Sequence, residues 1–209
     1  LIGAIIMTHG DDDGLILPPA IAPYQVVIVP VAAHKPGVME KARELAESLK
    51  TVARVKLDDS DKAPGWKFSQ WEMKGVPLRI EVGPRDLEQG QCVLVRRDNR
   101  EKQFVKLEDL PTAIPAALEA LAKALYDRAL ENREARTYAA TTMDEVQELV
   151  KTKSGFIKTM WCGDVACEEA MKEKAGLSSR CMPFAQEQLS DVCPVCGKAA
   201  KSMVVWGIA

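Results

Sequence analysis

The strongest constraint on this chain is where its thiols fall. Cys162, Cys167, Cys181, Cys193 and Cys196 crowd the C-terminal end, and the long stretch before them holds Cys92 alone. Cys162-x4-Cys167 and Cys193-x2-Cys196 are two pairs separated by 25 residues, a spacing at which four thiolates can close a tetrahedron around Zn²⁺. Gly197, directly after the second pair, permits the tight turn that aims backbone N–H groups at sulfur. Two other readings stand beside the metal: buried structural thiols, and redox chemistry at Cys193-Pro194-Val195-Cys196. The redox reading needs a strand before the motif in a βαβ frame and has no use for a second pair, so metal is favoured. The histidines, His9 and His34, lie far from the cluster, and no His-x-Glu segment precedes it. Four soft ligands with no open position predict a structural zinc rather than a hydrolytic or deaminating one. Cys92 and Cys181 are assigned to the core. A secreted disulfide framework would be denser in a smaller chain, so a reducing, cytoplasmic compartment is expected.

The 209 residues can build two small domains, and 47% hydrophobic with 28% charged residues excludes a disordered tail. The longest apolar runs, such as Tyr24 to Ala33, stay short of the ~20 residues a bilayer demands, and a soluble protein is expected. Leu1 to Met7 has no basic segment before it and no small-residue cleavage site, so it reads as the cut end of a longer chain rather than a secretory signal. A net charge of -2 excludes a globally basic nucleic-acid coat but leaves room for a local basic face.

Hydrophobic periodicity predicts an α/β fold. Tyr24 to Val31 reads as a strand buried on both faces, Val38 to Leu49 as an amphipathic helix, and Val52 to Leu57 as a strand. Such a unit implies a parallel pair with a right-handed crossover. Val76 to Val82 alternates apolar residues with Arg79 and Glu81, which predicts a strand with one wet face shared by those two. Cys92 to Val95 and Gln103 to Leu107 bracket Arg97-Asp98-Asn99-Arg100 as a hairpin, which makes the sheet mixed. A long helix is expected from about Pro115 into the charged 127–136 segment, linking two domains. Thr142 and Glu145 have capping-box spacing. Phe156 to Trp161 and Met203 to Ile208 read as strands flanking the clustered cysteines.

Between these elements, Pro64 to Gly75 interleaves Trp66, Phe68 and Trp71 with Lys67, Lys74 and Glu72, just ahead of the strand carrying Arg79 and Glu81 and the corner Gly83-Pro84-Arg85-Asp86. Aromatics offer stacking faces to unpaired bases, Lys and Arg meet phosphates, and carboxylates accept from the Watson–Crick edge of guanine. The two tryptophans serve equally well as the apolar face of a short helix, whereas Phe68 and Glu72, one turn apart, are placed to point outward together.

The segments Met7 to Pro19, Pro64 to Phe68 and Trp71 to Asp86 closely resemble prolyl-tRNA synthetases of the archaeal and eukaryotic type, and the resemblance spans essentially the whole chain. It implies that residues 1–22 end a class II catalytic domain. Residues 23–125 would then form a mixed-sheet class IIa anticodon-binding domain, and 126–209 a small α/β zinc-binding C-terminal domain. It places Phe68, Glu72, Arg79, Arg85 and Asp86 at positions that meet the anticodon of proline tRNA, whose second and third bases are both G. Glu72 and Asp86 suit guanine edges, Arg79 and Arg85 suit O6 and N7 or phosphate, and Phe68 suits stacking. It makes Cys162, Cys167, Cys193 and Cys196 the zinc ligands. The implied activity is ATP- and Mg²⁺-dependent attachment of L-proline to its tRNA through prolyl-adenylate, in a cytoplasmic homodimer. The ATP-binding arginine of the third class motif would lie just before Leu1, so no catalytic residue is assigned within the chain. His9 and Asp11 to Asp13 match a His-Gly-Asp-Asp signature, or else form a helix end and acidic turn. The family tends to end in Tyr, where this chain has Trp206-Gly207-Ile208-Ala209. Two readings from other classes remain open: a stand-alone RNA-binding adaptor of the same ancestry, and a zinc-ribbon interaction module unrelated to tRNA.

Overall fold

Val26 to Pro30 form β1, buried at every position, and the first half of the chain is built around it. A computed structural model describes residues 1–208 and divides the chain into two units, Leu1–Ala129 and Leu130–Ala209. In the first unit β1 lies inside a five-stranded sheet ordered β2-β1-β3-β4-β5. β2 (Val55–Leu57) and β3 (Leu78–Val82) run parallel to β1, while β4 (Gln91–Arg96) and β5 (Lys102–Lys106) form an antiparallel hairpin against β3. The helix α2 (Val38–Ser48) returns the chain from β1 to β2, burying Val38, Ala42, Leu45 and Ala46 at the spacing its sequence predicts.

The two faces of β1 carry different cores. Val26 and Ile28, with Leu78, Ile80 and Val82 of β3, pack on α2 and on the start of α5 (Leu110–Ala135) through Leu110, Ile114 and Leu118. Val27 and Val29 face the other way, onto Trp71 and Val76, which places α3 (Pro64–Met73) over that side. Each fully buried Ile or Leu contributes about 2 kcal/mol relative to exposure. The short α4 (Pro84–Glu88) follows β3, and α1 (Ile2–His9) precedes an acidic turn closed by Asp11 and Gly14.

The second unit carries a four-stranded sheet ordered β6-β7-β9-β8. β6 (Thr137–Ala139) runs parallel to β7 (Phe156–Trp161), and β9 (Ser202–Ile208) lies antiparallel to β7 and to β8 (Leu177–Cys181). α6 (Met143–Thr152) and α7 (Val165–Ala175) contribute Val146, Met171 and Ala175 to a core with Ile157, Leu177, Val204 and Trp206. Trp206 is fully buried and its Nε1 donates to Thr159 Oγ1 at 2.9 Å, which satisfies its polar edge. Both halves of the capping box at Thr142 and Glu145 are made.

Three expectations need correction. β3 has no wet face: Arg79 and Glu81 are each 9% exposed, because α3 lies over them and they neutralise each other. α5 begins at Leu110 rather than near Pro115, which sits inside it; there the missing N–H and the ring cost less than the burial of Leu110 and Ile114 returns. Cys181 is exposed, at a β-bulge in edge strand β8, while Cys92 is a core thiol whose burial pushes it up to about 12. Ala209 lies outside the described residues. No helix among the described residues is long and apolar enough to cross a membrane.

Candidate nucleic-acid interface and metal centre

Arg79 organises the candidate interface in the first unit. Its Nη1 donates to Glu72 Oε1 at 2.6 Å, its Nε donates to Glu81 Oε1 at 3.0 Å, and its guanidinium lies 4.1 Å from the centre of the Phe68 ring. Two carboxylates and an aromatic face thus hold one cation in place, a set of contacts stronger than an exposed pair because the guanidinium is almost wholly desolvated. The positions follow from local periodicity. Phe68 and Glu72 are one turn apart on α3, and Arg79 and Glu81 are two apart on β3, so all four side chains meet in the layer between helix and sheet. The Arg79 bond uses Glu72 Oε1, and Oε2 receives no hydrogen bond among the described residues. A carboxylate so placed can accept from the N1–H and N2–H₂ edge of a guanine while Arg79 keeps it oriented.

Lys102 was missed by sequence reasoning. Its ammonium lies 3.7 Å from Glu81 Oε2 and is largely exposed, extending the line Glu72–Arg79–Glu81 to the surface. The pairing explains why: Arg79 is opposite Val95 and Val95 opposite Lys102, so the two cations share a face only once the hairpin register is known. Arg85 and Asp86 sit on α4, exposed and half-buried respectively, and make no ion pair with the Arg79 cluster among the described residues.

The two tryptophans separate. Trp66 is 50% exposed, whereas Trp71 is core, edge-on to Tyr24 at 6.2 Å. Lys67 is not available to a phosphate. It is buried against Asp58, donating to the carbonyls of Asp58 and Ser60 at 3.0 and 2.8 Å, while Trp71 Nε1 donates to Asp58 Oδ2 at 2.7 Å. Burial works against the charged form of Asp58, but the hydrogen bonds from Ser60 and Trp71 and the Lys67 charge outweigh it and hold its carboxyl below the usual range. His9 closes α1, and the Asp11 to Gly14 turn follows it, so that signature is occupied by a helix end and an acidic turn.

In the second unit the four cysteines meet. Cys162 follows β7, Cys167 lies in the first turn of α7, and Cys193 and Cys196 come from the turn before β9; their sulfurs all lie within 4.8 Å of one another. Sγ of Cys162 is 3.6 Å from that of Cys167 and 3.7 Å from that of Cys196. A tetrahedron with Zn–S bonds of ~2.3 Å has edges of about 3.8 Å, so the set fits Zn²⁺ and is too open for disulfides. Cys162 and Cys196 are each followed by a left-handed glycine, Gly163 at φ 87° and Gly197 at φ 69°, and each sulfur accepts a backbone N–H from two residues on, Asp164 and Lys198. Sequence reasoning found the second of these turns and not the first. Burial pushes the Cys162 and Cys167 thiols up, and the Lys198 N–H holds Cys196 down at about 7. Thiols that oppose one another's ionisation in this way lose that opposition when a divalent cation sits among them.

Comparison with known proteins supplies the lineage. Residues 25–117 match the anticodon binding domain family, and residues 143–209 match the family described as prolyl-tRNA synthetase, C-terminal. Over its full length the chain is 61% identical to a proline–tRNA ligase of Clostridium novyi, 59% to one of Ruminiclostridium cellulolyticum and 58% to one of Clostridium botulinum, covering 44% of each. It therefore spans less than half the length of these relatives. With an anticodon binding domain followed by this synthetase's own C-terminal domain, the chain belongs to the prolyl-tRNA synthetase family, as a C-terminal portion.

Proposed function

We propose that this chain is the tRNA-reading part of a cytoplasmic, homodimeric proline–tRNA ligase, which uses ATP and Mg²⁺ to form prolyl-adenylate and then transfers proline to its tRNA. The reacting groups lie outside this segment. Within it, residues 1–22 end the catalytic domain, 23–125 read the anticodon, and 126–209 form the zinc domain. The observation that carries the reading is the Arg79 guanidinium, stacked on Phe68 and bonded to Glu72, which presents a charged edge and an aromatic face together. Glu72 and Asp86 accept from the two anticodon guanines, Arg85 meets their O6 and N7 or the phosphates, Phe68 stacks, and Arg79, whose guanidinium is taken up by Glu72 and Glu81, serves the anticodon by orienting Glu72. Cys162, Cys167, Cys193 and Cys196 would hold Zn²⁺, whose chemistry there is to cross-link the end of β7, the start of α7 and the turn before β9.

The test is aminoacylation by the full-length ligase. Glu72→Ala or Asp86→Ala should weaken kcat/KM for proline tRNA by roughly 1–3 kcal/mol per lost base contact, with ATP–pyrophosphate exchange nearly intact. Arg79 keeps Glu81 as a partner in the Glu72 variant, so the fold survives the change. Equal losses in both assays would refute the anticodon role, and intact tRNA reading without any exchange activity in the full-length protein would favour an adaptor.

A further inference from the structure

The last turn of α3, which carries Glu72, is fastened to the N-terminal segment by contacts that base recognition does not require. Arg97, just past β4, has a side chain only 2% exposed. Its Nη1 and Nη2 donate to Asp11 Oδ2 and Oδ1 at 2.8 and 2.6 Å, and its Nε donates to the carbonyl oxygen of Glu72 at 3.1 Å. One guanidinium therefore joins the acidic turn to the backbone of the residue whose carboxylate reaches Arg79 on the other side. The turn itself is closed by reciprocal Asp11–Gly14 backbone bonds of 2.9 and 3.1 Å and by Asp13 N–H donating to Asp11 Oδ1 at 3.0 Å, and Arg100 pairs with Asp13.

The main chain repeats the attachment. Leu15 N–H donates to the Met73 carbonyl at 3.2 Å and Leu17 N–H to the Gly75 carbonyl at 3.1 Å. Two glycines allow this approach: a Cβ on Gly14 would lie 2.4 Å from Met73 Cα, and one on Gly75 would lie 2.6 Å from Leu15 Cβ. Glu72, Arg79, Arg96, Arg97 and Arg100 line one small crevice, so the tie and the reading carboxylate share a wall. A buried guanidinium satisfied by one carboxylate and one carbonyl has a single good position, because leaving either partner strands a desolvated charge.

From this we infer that Arg97, held by Asp11, is a positioning residue for anticodon recognition: it fixes the backbone of Glu72 so that its carboxylate is preset for guanine. The inference rests on the anticodon role proposed above for Glu72. A preset carboxylate binds its base without first losing conformational freedom, so the pair acts on tRNA affinity and base discrimination and does so through Glu72.

The experiment uses the full-length ligase with a proline-tRNA transcript and one in which an anticodon guanine is replaced by adenine. Asp11→Asn and Arg97→Lys should each raise KM for the native transcript about tenfold with kcat within about twofold, and should narrow discrimination against the adenine transcript by a similar factor. The double variant Asp11→Asn with Glu72→Ala should discriminate no worse than Glu72→Ala alone, since removing the carboxylate removes what the pair positions. Additive losses in the double variant would overturn the inference. So would a fall in kcat with KM and discrimination preserved, the pattern of a merely structural clamp. If Glu72→Ala itself leaves discrimination intact, the anticodon role fails first and the inference with it; if Glu72→Ala abolishes discrimination and the pair variants do not, only the inference fails. Should Arg97→Lys not fold, Asp11→Asn, on the partly exposed turn, decides the matter alone.

Discussion

Single residues show how a sequence motif divides its labour. In Pro64 to Gly75 the same helix supplies Phe68 and Glu72 to the Arg79 cluster and Lys67 and Trp71 to a buried network around Asp58. Lys67 looks like a phosphate ligand in sequence because lysines beside aromatics so often are; a buried lysine saturated by two carbonyls and a carboxylate becomes visible only when the loop carrying Asp58 and Ser60 is placed over α3. The network has a measurable signature. Asp58→Asn leaves Lys67 without its carboxylate, 3.6 Å away, and should cost about 2 kcal/mol in urea unfolding at neutral pH. Because the folded-state carboxyl lies below its ordinary value of 3.8, the stability it contributes is complete above that value and lost as pH falls through the lower folded one. Stability of the parent chain should therefore drop more steeply than that of Asp58→Asn as pH is lowered below about 4. Parallel curves would mean that Asp58 is not held charged by its neighbours.

At the scale of elements, β1, α2 and β4 follow directly from apolar periodicity, because each is decided by burial that is local in sequence, and β5, which is largely exposed, follows from the polar turn that pairs it with β4. β3 was legible as a strand but not in its environment: Arg and Glu at alternate positions look like a solvated face unless one knows that α3 covers them and that they pair. The attachment of the Gly14 to Leu17 segment along the end of α3 was equally hidden, since it joins residues 58 apart through main-chain bonds that leave no side-chain pattern. Glycine substitution separates the two demands made there. Gly37, at the start of α2, has φ 79°, and a Cβ added to it would meet nothing within 4 Å, so Gly37→Ala should cost only the left-handed penalty of about 1 kcal/mol. Gly75 has φ 74° and its Cβ would meet Leu15 at 2.6 Å, so Gly75→Ala should cost that plus about 2 kcal/mol of overpacking, read from urea unfolding of the two variants. Equal costs would show that the segment yields freely.

For the molecule as a whole, the divided distribution of cysteines in the sequence corresponds to two units with separate cores, and the thiol cluster lies in the smaller of them. That correspondence has a thermodynamic reason. The second unit spans only residues 130–209, and chains of that size gain limited stability from apolar burial alone, so a metal that ties β7, α7 and β9 together contributes directly to folding. The first unit has a five-stranded sheet buried on both sides of β1 and needs no such link. Metal analysis of the chain should find one zinc, and its removal by a chelator under reducing conditions should act on one unit. Amide hydrogen exchange should accelerate across β7 and β9, where four thiols left without a cation lose their reason to converge, while β1 and β3 stay protected. Cys193→Ser should reproduce the effect, since Cys193 is the more buried cysteine of its pair and three remaining thiols hold zinc less well. A chain that contains no zinc, or whose two units lose protection together when the metal is withdrawn, would show that the second sheet does not depend on the cluster.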